Sequence, residues 1–343
     1  MKITDVEALH LRLPQVEEIA DGTQDVLIVR IHTDAGLVGI GEVSSQSYVC
    51  KAIFEAPRSA ERRHGLAYLL RGQDPLDVGA LWDLRGKAAG KPVYELLGEG
   101  CRGSIRAYAS YLFGSTPRET GELARQAVDL GLTAMKFGWG PFGQDLSQDL
   151  AHVEAARRAA GPSRDVMVDA GLAFSVQPAL ERARLLQQFD IGWLEEPLSQ
   201  DDLRGYAELC AASPVPIAAG EGEVTRWGFE ALIECGVAVL QPDVAICGGL
   251  TVARQVSELA RAAQRKCVPH CFSTGVNLAA SLHWMAAFGD ENALVEYCLR
   301  PSALMRKLVR NLPPLVDGYV QVPQGPGLGI ELDPDIIEQF RVA

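Results

Sequence analysis

None of the eight cysteines forms a C-x-x-C pair, so neither a zinc ribbon nor a disulfide framework is expected. The nearest two, Cys267 and Cys271, read as a strand end followed by a loop. No apolar run approaches the length of a membrane-crossing helix, about 18 residues, so no transmembrane segment is expected. Residues 1–13 lack the long apolar centre of a secretory leader. Ile3, Val6, Leu9, Leu11 and Leu13 are spaced instead as in an edge strand, and the expected location is the cytoplasm. Positive charge is scarce: 32 Lys+Arg stand against 44 Asp+Glu, for a net charge of −12. Nucleic acid and anionic membrane surfaces need a basic face, and neither is expected as a partner. An anionic small molecule is still admitted, because one metal ion and a few cations invert a local field. Also missing is a G-x-G-x-x-G run after a first strand, the mark of an open dinucleotide-binding sheet.

What is present is a chain of 343 residues, 48% hydrophobic and 22% charged, enough for one large domain or two ordinary ones. From about residue 106 to 296 one unit repeats: a short apolar strand run ending in polar residues, then an amphipathic helix. The runs are 106–110, 134–137, 166–169, 193–195, 217–221, 239–243, 267–270 and 294–296, with helical patterns between them. Thr116-Pro117 and Ser175 to Pro178 supply cap or turn residues ahead of an early proline. Eight alternating units predict an α/β fold of the (β/α)8 barrel type or a close variant, with an open doubly wound sheet as the runner-up. Residues 1–105 have a different grain. A hairpin through Asp34-Ala35-Gly36 and a helical stretch around 51–71 suggest an α+β capping domain. The barrel domain would span 106–317, and the Gly/Pro-rich tail, 318–343, would return to the cap.

Asp169, Glu195 and Glu221 lie 26 residues apart, each at the end of a strand run. Equal spacing along repeated units places the three carboxylates on neighbouring strands at the barrel's C-terminal mouth, where they would share a divalent cation. An all-oxygen ligand set suits Mg²⁺, with Mn²⁺ as the alternative; zinc would call for His or Cys. Period alone does not choose between Glu195 and Glu196, since successive strand residues face opposite ways. Asp243 and His270 end consecutive strands, within reach of a carboxylate–imidazole hydrogen bond suited to general acid/base work. Glu296 ends the last strand. Lys136 ends the second, where it would neutralise a substrate carboxylate or act as a base. A cation on a substrate carboxylate and a base at the α-carbon together describe proton abstraction through an enediolate.

At these residues the chain resembles the mandelate racemase subgroup of the enolase superfamily. The resemblance is carried by Val166-Met167-Val168-Asp169, Trp193-Leu194-Glu195-Glu196-Pro197, Gly220-Glu221, Gln241-Pro242-Asp243 with Gly248-Gly249, Pro269-His270 and Val295-Glu296. Leu84 to Tyr94 and Pro326-Gly327-Leu328-Gly329 match as well, so it spans nearly the whole chain. It implies Asp169, Glu195 and Glu221 as metal ligands, Asp243–His270 as a dyad and Glu296 as a partner of the substrate carboxylate. A metal with a His or Lys base is already known for enolase-type sites. Most members with this set dehydrate sugar acids: the α-proton is removed, the β-hydroxyl leaves, and a 2-keto-3-deoxy acid results. Epimerisation, racemisation or cycloisomerisation through the same intermediate is the alternative, and a barrel that only binds ligand is a third outcome. Cap loops around 14–25 and 44–51, with Tyr48 and Lys51, are expected at the distal substrate, and Trp139 in the pocket wall. The subgroup tends to form symmetric assemblies, which leaves a homo-oligomer open.

Two departures stand out. Members usually carry Lys-x-Lys on the second strand; here Lys136-Phe137-Gly138 leaves Gly138 where the second lysine would be. Members also carry on the order of 40 more residues ahead of the Lys87-Ala88-Ala89-Gly90 run, and a cap lacking those helices would expose core surface. Here residues 72–78 run through Ala80-Leu81-Trp82-Asp83 directly into it, so the cap is expected to be shortened near 80–85.

Overall fold

Alternation of side chains along the first residues builds a strand: β1 (Ile3–Arg12) buries Leu9 and Leu11 and lies at the edge of an antiparallel sheet with β2 (Asp25–Thr33) and β3 (Val38–Val43). The β2–β3 turn falls at the expected place, with Gly36 at φ 75°. This is the computed structural model of the chain, and it describes residues 1–60, 63–78, 81–98, 100 and 102–342. Ala80, within the expected shortening near 80–85, therefore lies outside the described residues, as does Gly79. The helical stretch expected over 51–71 is two helices, Ser47–Glu55 and Leu66–Leu70. Pro57 stops the first by forcing Ala56 to an extended ψ of 125°. Gly65 then packs so closely that a Cβ there would stand 2.4 Å from the Phe54 carbonyl oxygen.

The barrel strands are β4 (Ser104–Leu112), β5 (Ala134–Gly138), β6 (Asp165–Asp169), β7 (Leu194–Glu195), β8 (Ile217–Ala219), β9 (Val239–Leu240), β10 (Lys266–Cys267) and β11 (Leu294–Cys298). They run parallel in the order β10-β9-β8-β7-β6-β5-β4, and β11 pairs with the other edge of β4. Seven helices connect them, from Pro117–Asp129 to Gly275–Phe288. Thr116 caps the first of these as expected, accepting from Glu119 N, whereas Ser175 makes no side-chain cap. The result is a modified (β/α)8 barrel with a capping domain.

One apolar layer plugs the barrel. Tyr108, Ala134, Met167, Trp193, Ala218, Val239 and Val268 pack together, one from each of seven strand runs, with Leu294 of β11 against them. Strand residues two apart face the same way. The next inward layer toward the mouth is therefore Ser110, Lys136, Asp169, Glu195, Gly220, Gln241, His270 and Glu296. An apolar floor two residues below the polar ends makes the chemistry converge.

The chain end ties the cap to the barrel. β12 (Leu315–Val316) and β13 (Tyr319–Gln321) form a hairpin that pairs antiparallel with the start of β4. The tail then returns to the cap: Leu328 N donates to Asp83 Oδ1 at 2.8 Å, and Val342 N donates to His10 O at 2.9 Å. Asp83 Oδ2 also accepts from Ile40 N at 2.8 Å and pairs with Lys87 at 2.7 Å. The helix Gly275–Phe288 is buried on almost every face between barrel and cap, as expected of a helix apolar all round. Beside it, a cavity of about 740 Å³ opens between the cap helices and the loop after β9, walled by Ile53, Leu66, Leu69, Leu81, Trp82 and Val244.

Candidate active site

The carboxylates spaced by 26 residues meet. Asp169, Glu195 and Glu221 each offer a ligand oxygen, and these oxygens lie within 4.8 Å of one another. Asp169 ends β6, where its Oδ1 accepts from Gly171 N at 2.8 Å. Glu195 ends β7; its Oε2 accepts from Trp193 Nε1 at 2.8 Å and Gln241 Nε2 at 2.6 Å. Glu221 follows Gly220, whose φ of 118° turns the chain out of β8. A residue with a side chain rarely adopts that conformation, and a Cβ there would also stand 2.8 Å from the Phe229 ring.

The choice between Glu195 and Glu196 is made by the plug. Trp193 points into the barrel, so Glu195, two residues on, points in as well. Glu196 sits at φ 36° and takes Gly220 N at 3.2 Å and Gln200 Nε2 at 3.3 Å on its carboxylate. Burial, with the Glu221 charge adding, pushes its carboxyl up to about 8.

The acid cluster is short of positive charge. Burial raises Asp169, and the Glu195 carboxylate adds to the rise. Burial also raises Glu221, with Asp169 and Glu195 adding while His270 opposes. Two buried carboxylates and one half-buried one in mutual repulsion, with oxygen donors converging, fit a hard divalent cation such as Mg²⁺. Lys136 provides part of the missing charge. It is 3% exposed, pairs with Glu195 Oε1, and lies 3.1 Å from Glu296 Oε1. Burial opposes its charge, but the two carboxylates outweigh burial and hold its pKa well above the ordinary lysine value. Both carboxylates therefore favour the charged form of Lys136.

On the other side of the mouth, His270 Nδ1 lies 2.7 Å from Asp243 Oδ2, and its Nε2 lies 3.5 Å from Glu221 Oε2. A single parallel bridge, Asp243 to His270, extends the β9–β10 pairing to the two residues. Burial would lower the imidazole pKa, but Glu221, Glu296 and Asp243 outweigh it and hold His270 well above its ordinary value. Asp243 Oδ1 is held separately, by Ala245 N at 2.7 Å and Asn277 Nδ2 at 2.9 Å. Glu296 accepts from Ser110 Oγ and Cys271 N, each at 2.6 Å. Burial works against its charge, yet Lys136 and His270 hold its pKa well below the ordinary carboxylate value.

These groups border a cavity of about 390 Å³, whose walls include Lys136, Trp139, Asp169, Glu221, His270 and Glu296. Glu195 and Asp243 stand behind the wall, both fully buried. Of the cap loops, Ala20, Asp21, Gly22 and Ser44 reach the cavity. The structure does not bring Tyr48 and Lys51 there. The Tyr48 ring packs edge-on against His10 at 4.4 Å and is 56% exposed, and Lys51 pairs with Glu55 on its own helix. They lie on a surface helix, whose facing a sequence with no barrel register to anchor it does not fix. Sequence reasoning missed Asp21, Ser110, Gln241 and Asn277. Ser110 and Gln241 were within reach of it, since each lies two residues beyond a plug residue.

The site and the barrel define a class, the enolase-type enzymes, whose acidic cluster could hold a metal ion, and comparison with known proteins gives the same class. Residues 119–336 match the family model for the enolase C-terminal domain-like family, and the chain belongs to that family. Among curated relatives it is 33% identical, over 384 aligned positions, to D-galactarolactone cycloisomerase of Agrobacterium fabrum, covering 100% of this chain and 99% of that protein. It is 30% identical to D-galactonate dehydratase of Ralstonia nicotianae over 92% of this chain and 91% of that one. Among solved structures, a predicted mandelate racemase from Rhodobacter sphaeroides superposes with a TM-score of 0.91 at 32% identity, covering 99% of this chain and 95% of that chain. The 3,6-anhydro-D-galactonate cycloisomerase of Zobellia galactanivorans superposes with a TM-score of 0.87 at 28% identity, covering 100% of each chain. Among the described residues, no helix is long and apolar enough to cross a membrane.

Proposed function

We propose that this chain is a Mg²⁺-dependent lyase that dehydrates a sugar acid to a 2-keto-3-deoxy acid. The observation that carries the reading is the triad Asp169, Glu195 and Glu221 converging within 4.8 Å beside the His270–Asp243 pair. A cation held by the triad supplies Lewis acidity at the substrate carboxylate. Lys136 faces that carboxylate as a second positive charge, and Glu296, anchored by Ser110 and Cys271 N, positions Lys136 and offers an acceptor to a hydroxyl or acid proton. His270 presents Nε2 to the cavity while Asp243 holds Nδ1, so the imidazole takes the α-proton in a fixed orientation. With Gly138 in place of a second lysine, one face of the α-carbon has a base and the other has none, which disfavours two-base racemisation.

Dehydratases among the relatives support this reading, and the relative named a cycloisomerase supports a second one: the same proton abstraction followed by ring opening or epimerisation. A screen of sugar acids, read for 2-keto product and for α-deuterium uptake in D₂O, separates them. Keto acid formed with loss of water supports dehydration, keto acid isomeric with its substrate supports ring opening, and deuterium uptake without keto acid supports epimerisation. Absence of both, with no heat on titrating Mg²⁺, would leave a barrel that only binds ligand.

The shortened cap belongs to the same reading. The cycloisomerase alignment runs over 384 positions against 343 residues here, so that relative carries residues with no counterpart in this chain. We place the shortfall near 80–85, where the apolar cavity walled by Leu81 and Trp82 stands open.

A further inference from the structure

The first turn of the helix Gly275–Phe288 carries a buried amide that the reaction above does not use. Asn277 is 1% exposed. Its Nδ2 donates to Asp243 Oδ1 at 2.9 Å and to Ser273 Oγ at 3.1 Å, and its Oδ1 accepts from Ser281 Oγ at 3.3 Å. A carboxylate oxygen that takes a hydrogen bond faces the amide nitrogen, which is how Asn277 is turned. Asp243 thus shows one oxygen to His270 and has the other clamped by two donors, Asn277 Nδ2 and Ala245 N. Turning the carboxylate would break both clamps.

Asn277 is in turn set by the cap. Glu42, on β3, reaches across to the helix start, where its Oε2 accepts from Thr274 Oγ1 at 2.6 Å and from Asn277 N at 3.0 Å. Thr274 is the N-cap of that helix and accepts from Val276 N at 3.1 Å. Among the described residues the other oxygen of Glu42 is buried without a hydrogen bond of normal geometry, with the Ser273 hydroxyl close to the carboxylate. A carboxylate placed at such cost is held for the contacts it does make.

We propose that Glu42 and Asn277 are positioning residues: the cap fixes the helix start through Glu42, and Asn277 there orients Asp243 and, through it, His270. The inference rests on reading His270–Asp243 as the acid/base pair. It makes acid/base geometry in the barrel depend on docking of a strand from another domain.

The test is the Nδ1 proton of His270, observed by NMR on full-length protein with ¹⁵N-labelled histidine and assigned by its loss in His270→Asn. The wild type is expected to show a downfield proton protected from water by Asp243. In Asn277→Leu and Glu42→Ala, its exchange with water is expected to rise about tenfold or more, the restraint of roughly one hydrogen bond being lost. Glu42→Gln, which keeps an acceptor oxygen, is expected to restore protection. A merely structural role would lower the melting temperature of the variants and leave the Nδ1 signal unmoved, and that result overturns the proposal. Should Asn277→Leu not fold, equal exchange in Glu42→Ala and Glu42→Gln overturns it as well. The signal is read without substrate, so it is independent of whether a sugar acid is dehydrated.

Discussion

Gly138 and Asp169 are register partners across β5 and β6, and a Cβ built on Gly138 would stand 2.5 Å from Asp169 Oδ2 and 2.7 Å from its Cβ. The position where the resemblance implies a second lysine is closed here by the Asp169 carboxylate. Gly138→Ala is expected to push Asp169 out of the triad and weaken Mg²⁺ binding by about tenfold or more, as loss of a ligand's support does. Isothermal titration with Mg²⁺ measures it; unchanged affinity would show that the carboxylate has room to yield.

The triad itself gives a second expectation. Asp169→Asn and Glu221→Gln each replace a charged ligand by a neutral one of the same shape. Each is expected to abolish measurable Mg²⁺ heat while leaving the far-ultraviolet circular dichroism unchanged. Because burial and mutual repulsion raise the Asp169 and Glu221 carboxyls, removing one charge is also expected to make the metal-free protein more stable. A variant that binds Mg²⁺ as the parent does would rule out a shared ion.

For the base, His270→Asn is expected to abolish α-proton exchange of a turned-over sugar acid in D₂O. Asp243→Asn is expected to slow it by on the order of 10³-fold, because the imidazole loses the partner that fixes its tautomer. Exchange retained in His270→Asn would move the role to another group.

Glu42 gives a pH dependence. Burial pushes its carboxyl from 4.5 up to about 7 in the folded protein. Between those values the folded chain holds a proton that the unfolded chain has released, so stability falls as pH rises from about 4.5 through about 7. Urea denaturation across that range should show a steeper loss in the parent than in Glu42→Gln; parallel curves would assign the slope to other groups.

Asp83 joins three segments: Ile40 N from the cap sheet, Lys87 on its own helix, and Leu328 N from the returning tail. It is 6% exposed. Asp83→Ala leaves two backbone donors without their acceptor and Lys87 with the Val38 carbonyl alone, and is expected to cost about 3 kcal/mol. A loss under about 1 kcal/mol by chemical denaturation would show that water replaces the carboxylate.

The barrel and its chemical layer were legible because repetition and period are properties of the chain. Eight strand runs, seven of them carrying Lys136, Asp169, Glu195, Glu221, Asp243, His270 and Glu296 at their ends, put those residues at one end of the sheet before any contact is known. The 26-residue spacing brings three of the acids to that end, although Gly220 rather than Glu221 fills the place equivalent to Asp169 and Glu195, and the turn at Gly220 carries Glu221 to them. What period left undecided, packing decided. Trp193 entering the plug selects Glu195 over Glu196, since the side chain two residues on must follow it inward. Tyr48 and Lys51 were beyond reach for the opposite reason: a surface helix in the cap has no register with the barrel, and its facing follows contacts such as that of Tyr48 with His10. The split at Pro57 and Gly65, the closing of Gly138 by Asp169, and the bond from Glu42 to the start of the Asn277 helix all join residues distant in sequence or depend on ångström-scale clearance. Local pattern fixes which way a strand residue points; only the folded chain decides what it meets there.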